Sequence, residues 1–204
     1  YYGGGIFNYA TLTVQNGSTI GGAGAGNTAV ISGGGIYTDI GATTVDDSTV
    51  SANTAYYYGG GIFNCATLTV QNGSTIGGIG AGNTADFGGG IYSLSMGPTT
   101  VAGSRILMNT ATNGGGVYSD TDAAVATIVT GSCIVRNSTM SFLNNRPAPQ
   151  IATGNWWGAA TGPNTPGADT VGGNVDTSGY LTAPPIPGCV FHDVYLPLVL
   201  KQTP

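Results

Sequence analysis

Short apolar segments punctuate a chain otherwise rich in Gly, Ser, Thr and Asn. Ile6-Phe7 recurs as Ile36-Tyr37, Ile62-Phe63, Ile91-Tyr92 and Val117-Tyr118. Leu12-Thr13-Val14 is matched by Thr43-Thr44-Val45, Leu68-Thr69-Val70, Thr99-Thr100-Val101 and Thr127-Ile128-Val129. A third segment, Ser18-Thr19-Ile20, returns at Ser48, Ser74, Ser104 and Ser132. Each alternates with period two and carries an aliphatic residue on one face, which predicts three short half-buried strands per repeat.

The repeat is unusually exact. Residues 1–29 recur as residues 57–85, and two of the 29 positions differ: Tyr9 against Cys65 and Ala23 against Ile79. A Gly triplet followed by Ile or Val and an aromatic begins at Gly3, Gly33, Gly59, Gly88 and Gly114, at spacings of 30, 26, 29 and 26. Asn-Thr-Ala stands at Asn27, Asn53, Asn83 and Asn109, with Asn137-Ser138-Thr139 as a looser copy. Long and short periods alternate because Gly/Ala-rich insertions at residues 21–26 and 77–82 enlarge one turn in every second repeat.

Periods of this length, read with three strands, predict an all-β, right-handed parallel β-helix (solenoid) of about six coils over residues 1–163. An irregular C-terminal tail, residues 164–204, is expected to be Gly/Pro-rich loop and then an apolar strand, docked on its own end or on a neighbouring subunit. Stacking sets like on like. The Ile/Val columns form the interior, and Thr13, Thr44, Thr69 and Thr100 an outward ladder. Phe7, Tyr37, Phe63, Tyr92 and Tyr118 form an aromatic ladder on the outer face beside the Gly corner. Asn27, Asn53, Asn83, Asn109 and Asn137 form a buried amide ladder.

Composition narrows the reading. Of 204 residues 37 are Gly, and charged residues are 6%, against about 25% in ordinary domains. All nine acids are Asp, and with four Lys/Arg the net charge is −5. Helix formers are too few for a helical fold, there is no basic footprint for nucleic acid, and no apolar run is long enough for a membrane span. Low charge and many hydroxyls point to an extracellular or cell-surface protein. The chain opens at Tyr1 with a motif under way, as expected after removal of a leader or in a piece of something longer. Cys65, Cys133 and Cys189 are too far apart for a zinc knuckle or redox pair. A Cys133–Cys189 bridge is one open pairing, and Cys65 would then be free or intermolecular.

The combination GGGI(Y/F), (I/V)xxN and NTA resembles the parallel β-helix repeats of bacterial surface proteins, including the polymorphic outer-membrane and autotransporter-passenger type. Gly154-Asn155-Trp156-Trp157-Gly158, with Thr161-Gly162-Pro163, looks like the closing coil of such helices. Val194-Tyr195-Leu196-Pro197-Leu198-Val199-Leu200-Lys201 resembles the LPLVLK-like ending of secreted proteins of green non-sulphur bacteria. The resemblance implies a secreted bacterial protein and a fold that carries many activities.

Candidate chemistry is sparse. Polysaccharide-active β-helix enzymes need clustered carboxylates. Asp46-Asp47 falls in a turn and is replaced by Ala102-Gly103 in a matching coil, and Asp120 and Asp122 are weak candidates for a Ca²⁺ site. His192 has no nucleophile pattern beside it. The residues imply no cofactor and no catalytic group. The Thr files also raise ice binding, but Ala42 and Pro98 interrupt the first file. An uncovered first coil, in register with Tyr57-Tyr58-Gly59, instead predicts head-to-tail stacking of the chain with itself. Tyr1, Tyr2, Tyr195, Leu196, Leu198 and Leu200 would lie at that contact, which gives an open fibre or surface layer. The alternative is an adhesin or passenger fragment that binds surfaces or glycans through its ladders.

Overall fold

The computed structural model describes residues 1–94, 96–122 and 125–189, which form a parallel β-solenoid of about six coils. The first sheet stacks Ile6–Asn8, Ile36–Thr38, Ile62–Asn64, Ile91–Leu94, Val117–Asp120, Phe142–Asn144 and Val171–Gly172. The second stacks Thr11–Val14, Ala42–Asp46, Thr67–Gln71, Thr99–Ala102, Thr127–Thr130, Gln150–Ile151 and Val175–Asp176. A third sheet holds Thr19–Gly21, Thr49–Ser51, Thr75–Gly77, Arg105–Leu107 and Cys133–Val135. No helix forms among the described residues, and none is long and apolar enough to cross a membrane.

The first four coils have four sides rather than the expected three. The fourth sheet is built from Thr28–Ala29, Thr54–Ala55, Thr84–Phe87 and Thr110–Asn113. These are the Asn-Thr-Ala segments. Their Thr side chains are exposed and their Ala side chains buried, so two residues suffice to make a rung. The sheets also run past residue 163. Val171–Gly172 and Val175–Asp176, expected as loop, pair with Phe142–Leu143 and Gln150–Ile151.

Register is strict. Ile6, Ile36, Ile62, Ile91, Val117, Phe142 and Val171 lie one above another, as do Ile20, Val50, Ile76, Ile106 and Ile134. From the second coil to Phe142 and Ile134 these columns, with Val45, Val70, Val101 and Val129, are fully buried and form one continuous core, against which the half-buried Val171 packs. Each such side chain contributes on the order of 1.5–3 kcal/mol by burial. Trp157 extends the column that runs from Ile20 to Ile134 and is also fully buried.

The Gly triplets do more than turn the corner. Only the first Gly of each has a positive φ, for example +62° at Gly59. The second is required by close approach: a Cβ on Gly60 would lie 2.4 Å from the Thr84 carbonyl oxygen and 2.6 Å from that of Gly89. The coils therefore pack backbone to backbone at this corner, which no larger residue permits.

The outer aromatic ladder stacks in parallel. Ring centroids are 5.0 Å apart for Phe7–Tyr37, 4.9 Å for Tyr37–Phe63, 5.2 Å for Phe63–Tyr92 and 5.1 Å for Tyr92–Tyr118. From Phe63 onward it is closed to solvent, because Tyr58 and Phe87 pack across it as a second aromatic layer, to which Tyr2 adds a contact with Tyr37. Exposure falls from 47% at Phe7 to 7% at Phe63. Burial also pushes the Tyr37 and Tyr92 hydroxyls well above the usual tyrosine range.

Candidate functional site

The turn after the third strand positions the Asn ladder. Asn27 Nδ2 donates to Asn53 Oδ1 (2.9 Å), Asn53 to Asn83 (3.1 Å), Asn83 to Asn109 (2.9 Å) and Asn109 to Asn137 (3.0 Å). Each Oδ1 also accepts the backbone N–H of the preceding ladder residue. The Nδ2 groups of Asn53, Asn83, Asn109 and Asn137 donate back to the carbonyls of Ile20, Val50, Ile76 and Ile106. One side chain thus satisfies a turn whose own backbone has no sheet partner there. In the short coils the residue before the Asn is left-handed without being Gly: Ala52 (φ 58°), Met108 (φ 54°) and Arg136 (φ 58°). This strain, on the order of 1–2 kcal/mol each, is offset by the ladder bonds.

Two further polar columns were missed in the sequence. Backbone N–H groups of Ser18, Ser48 and Ser104 donate to the hydroxyls of Ser48, Ser74 and Ser132, and Ser132 N–H to Asn155 Oδ1. Inside the core, Asn8, Thr38, Asn64, Ser93, Ser119 and Asn144 form a buried file beneath the first sheet. Thr43, Thr99 and Thr127 answer it across the corner, for example Thr38 Oγ1 to Thr43 Oγ1 at 2.7 Å and Asn64 Nδ2 to Thr99 Oγ1 at 3.0 Å.

At its far end the Asn ladder meets an acid. Asp169 accepts the backbone N–H of Arg136 (2.7 Å) and Asn137 (3.0 Å), and Ser141 Oγ donates to it. Burial holds its carboxyl above the usual aspartate range, against the lowering effect of these hydrogen bonds. The stabilisation linked to this shift is fully present below the usual aspartate value and is lost as pH rises through the raised folded value. Relative to Asp169→Asn, the wild type is expected to gain melting temperature as pH falls from neutral into the carboxylate range. Parallel pH profiles for the two proteins would refute this.

Asp120 and Asp46 bond across neighbouring coils. Arg146 pairs with Asp120 and lies 3.9 Å from Asp122, and the Tyr92 hydroxyl donates to Asp120 (3.2 Å). The position considered for Ca²⁺ thus already faces a guanidinium. Asp46 accepts from Gln71 (3.0 Å) and Asn72 (2.8 Å), which ties neighbouring rungs together. Among the described residues no three His, Cys, Asp or Glu side chains come together to hold a metal. A cavity of about 240 Å³ is lined by Asp39, Ile40, Cys65, Thr67 and Met96. Burial raises the Cys65 thiol, and its contact with the Tyr37 hydroxyl (3.8 Å) acts against this. Cys65 is a free thiol.

Cys133 and Cys189 are joined by a disulfide, with Cα atoms 5.9 Å apart. Cys133 faces outward, as its column requires, yet it is fully buried because residues 177–189 return along this flank. Residues 177–189 therefore dock on the chain's own third sheet, whereas Val171–Gly172 and Val175–Asp176 extend the end of the stack. His192, Tyr195, Leu196, Leu198 and Leu200 lie outside the described residues.

The first coil presents a broad apolar face. Ile6, Leu12 and Ile20 are half-buried, whereas their third-coil counterparts Ile62, Leu68 and Ile76 are fully buried beneath the second coil. Tyr1, Tyr2 and Tyr9 are exposed on the same coil. The strands of this coil are the edges of all four sheets. Comparison with known proteins finds no matching family model, no matching characterised protein and no matching solved structure.

Proposed function

We propose that this is an extracellular or cell-surface structural protein whose solenoid stacks head-to-tail with copies of itself into a fibre or surface layer. The observation that carries the reading is the identity of the first and third coils. They differ at two of 29 positions, and the third coil's corresponding face is fully covered within the molecule. The first-coil face is therefore chemically suited to receive another coil. Open strand edges over an apolar cross-section favour such pairing, and a heterologous contact of this kind propagates into a filament. At the other end, Val171–Gly172 and Val175–Asp176 are the edge strands of the first two sheets. The contact would run through these two sheets, since the strap occupies the flank of the third.

Sedimentation and electron microscopy over a range of concentrations test the reading. The wild type is expected to form filaments as concentration rises, and Ile6→Asp to remain discrete, because a carboxylate is placed in the stacking interior. Discrete wild-type particles at every concentration would overturn it. A second reading, adhesion to neutral glycans, draws on the exposed Tyr56 and Tyr57 on a nearly uncharged surface. Polyanionic partners fit it poorly.

A further inference from the structure

Beyond Asp176 the chain leaves the stack and runs back along the outer face of the third sheet. Leu181 N–H donates to the Asn155 carbonyl at 2.9 Å in the sixth coil. Leu181 and Ile186 pack over Leu107, Val135 and Trp156. Arg105 Nε donates to the Pro187 carbonyl at 2.7 Å in the fourth coil. Between these two points Cys189 is bonded to Cys133, which sits in register between Arg105 and Trp156.

The strap is poorly held apart from that bond. Of residues 177–189 only Cys189 is buried. Pro184, Pro185 and Pro187 have no N–H to donate, so this stretch cannot zip onto the flank as a strand. Two partly buried aliphatic side chains and a few hydrogen bonds must hold a dozen ordered residues, whose conformational entropy opposes docking. A disulfide removes much of that opposition by keeping the strap tethered when it opens. Beneath it, Leu107, Val135 and Trp156 occupy outward positions and owe their burial to the cover. The ladders and core of the coils do not pass through the strap.

We propose that residues 177–189 are a redox-sensitive strap: the Cys133–Cys189 bond holds them over the Leu107, Val135 and Trp156 stripe, and its reduction uncovers that stripe while the coils stay stacked. In the opening step a dithiol supplies two electrons and two protons. The sulfur–sulfur bond breaks, Cys133 and Cys189 become thiols, and the reductant closes to its own disulfide. Cys65 is a thiol before and after.

The two tryptophans give a direct readout, because Trp156 lies under the strap and Trp157 in the solenoid core. The full-length chain is followed with and without a dithiol by tryptophan emission, far-UV circular dichroism and digestion with a protease of broad specificity. On reduction, emission is expected to move to the red and cleavage within residues 177–188 to rise about tenfold, with circular dichroism unchanged. Cys189→Ser is expected to behave this way without reductant. If that variant does not fold, reduction of the folded wild type carries the test alone. Unchanged emission and protease resistance after verified reduction would overturn the proposal, as would loss of the β signal together with the strap.

Discussion

Gly77→Ala is expected to cost at least about 4 kcal/mol, the range in which a named steric conflict dominates a substitution. Gly77 ends a strand of the third sheet with φ +97°, and a Cβ there would lie 2.0 Å from the Leu107 carbonyl oxygen and 2.6 Å from Asn109 Oδ1. Both atoms belong to the next coil, and Asn109 belongs to the amide ladder. Neither can retreat without breaking the pairing of Thr75–Gly77 with Arg105–Leu107. Gly80 is the control. It lies in the same enlarged turn with φ +64°, but nothing stands within 4 Å of its would-be Cβ. Gly80→Ala should cost only about 1–2 kcal/mol, the price of a left-handed residue. Urea unfolding of the two variants measures the difference, and hydrogen exchange shows whether the loss begins between the third and fourth coils. Equal losses would show that close stacking of coils at this turn does not limit stability.

Asn83→Leu is expected to cost about 3–5 kcal/mol, although it nearly preserves shape. Asn83 is fully buried and its amide makes four bonds. Oδ1 accepts from Asn53 N (3.0 Å) and Nδ2 (3.1 Å), and Nδ2 donates to the Val50 carbonyl (2.9 Å) and Asn109 Oδ1 (2.9 Å). Leucine strands the Asn53 N–H, a buried orphan that costs about 1–3 kcal/mol, and it also removes the amide bonds to the Val50 carbonyl and Asn109, each worth about 0.5–1.5 kcal/mol. Asn27→Leu should cost less than half as much. Its side chain donates one ladder bond, to Asn53 Oδ1, and that oxygen keeps the Asn27 backbone N–H as a donor. Denaturation midpoints of the two variants decide the matter. A cost at Asn27 equal to that at Asn83 would mean that the ladder contributes through shape rather than through its hydrogen bonds.

Much of this architecture was legible because repetition multiplies a weak local signal. A lone Ile-Phe or Ser-Thr-Ile says little, but five copies at one offset place the interior columns, the aromatic ladder and the amide ladder. Failures came where the signal was too short or chemically ambiguous. The fourth sheet is two residues wide at Thr28–Ala29 and Thr54–Ala55, too few for alternation to be seen. The buried file from Asn8 to Asn144 stands two residues after the interior aliphatic or aromatic residue in every coil. Period two puts it on the inner face. Its polarity argued for the outside, and only the facing hydroxyls of Thr43, Thr99 and Thr127 explain how it is satisfied within. The left-handed Ala52, Met108 and Arg136 carry no glycine to announce them.

The amino-acid order alone determined that like residues stack on like. In a solenoid, pairing partners are one repeat apart, so contact order is encoded as a period. Tertiary structure alone decided what happens across the coils rather than along the stack. Tyr58 and Phe87 seal, from Phe63 onward, a ladder that alternation placed outside, Arg146 closes over Asp120 and Asp122, and the strap turns back to bury Cys133. These contacts join positions unrelated by the repeat. Their partners are set by distance in three dimensions and by the need to cover apolar surface, for which the period has no symbol.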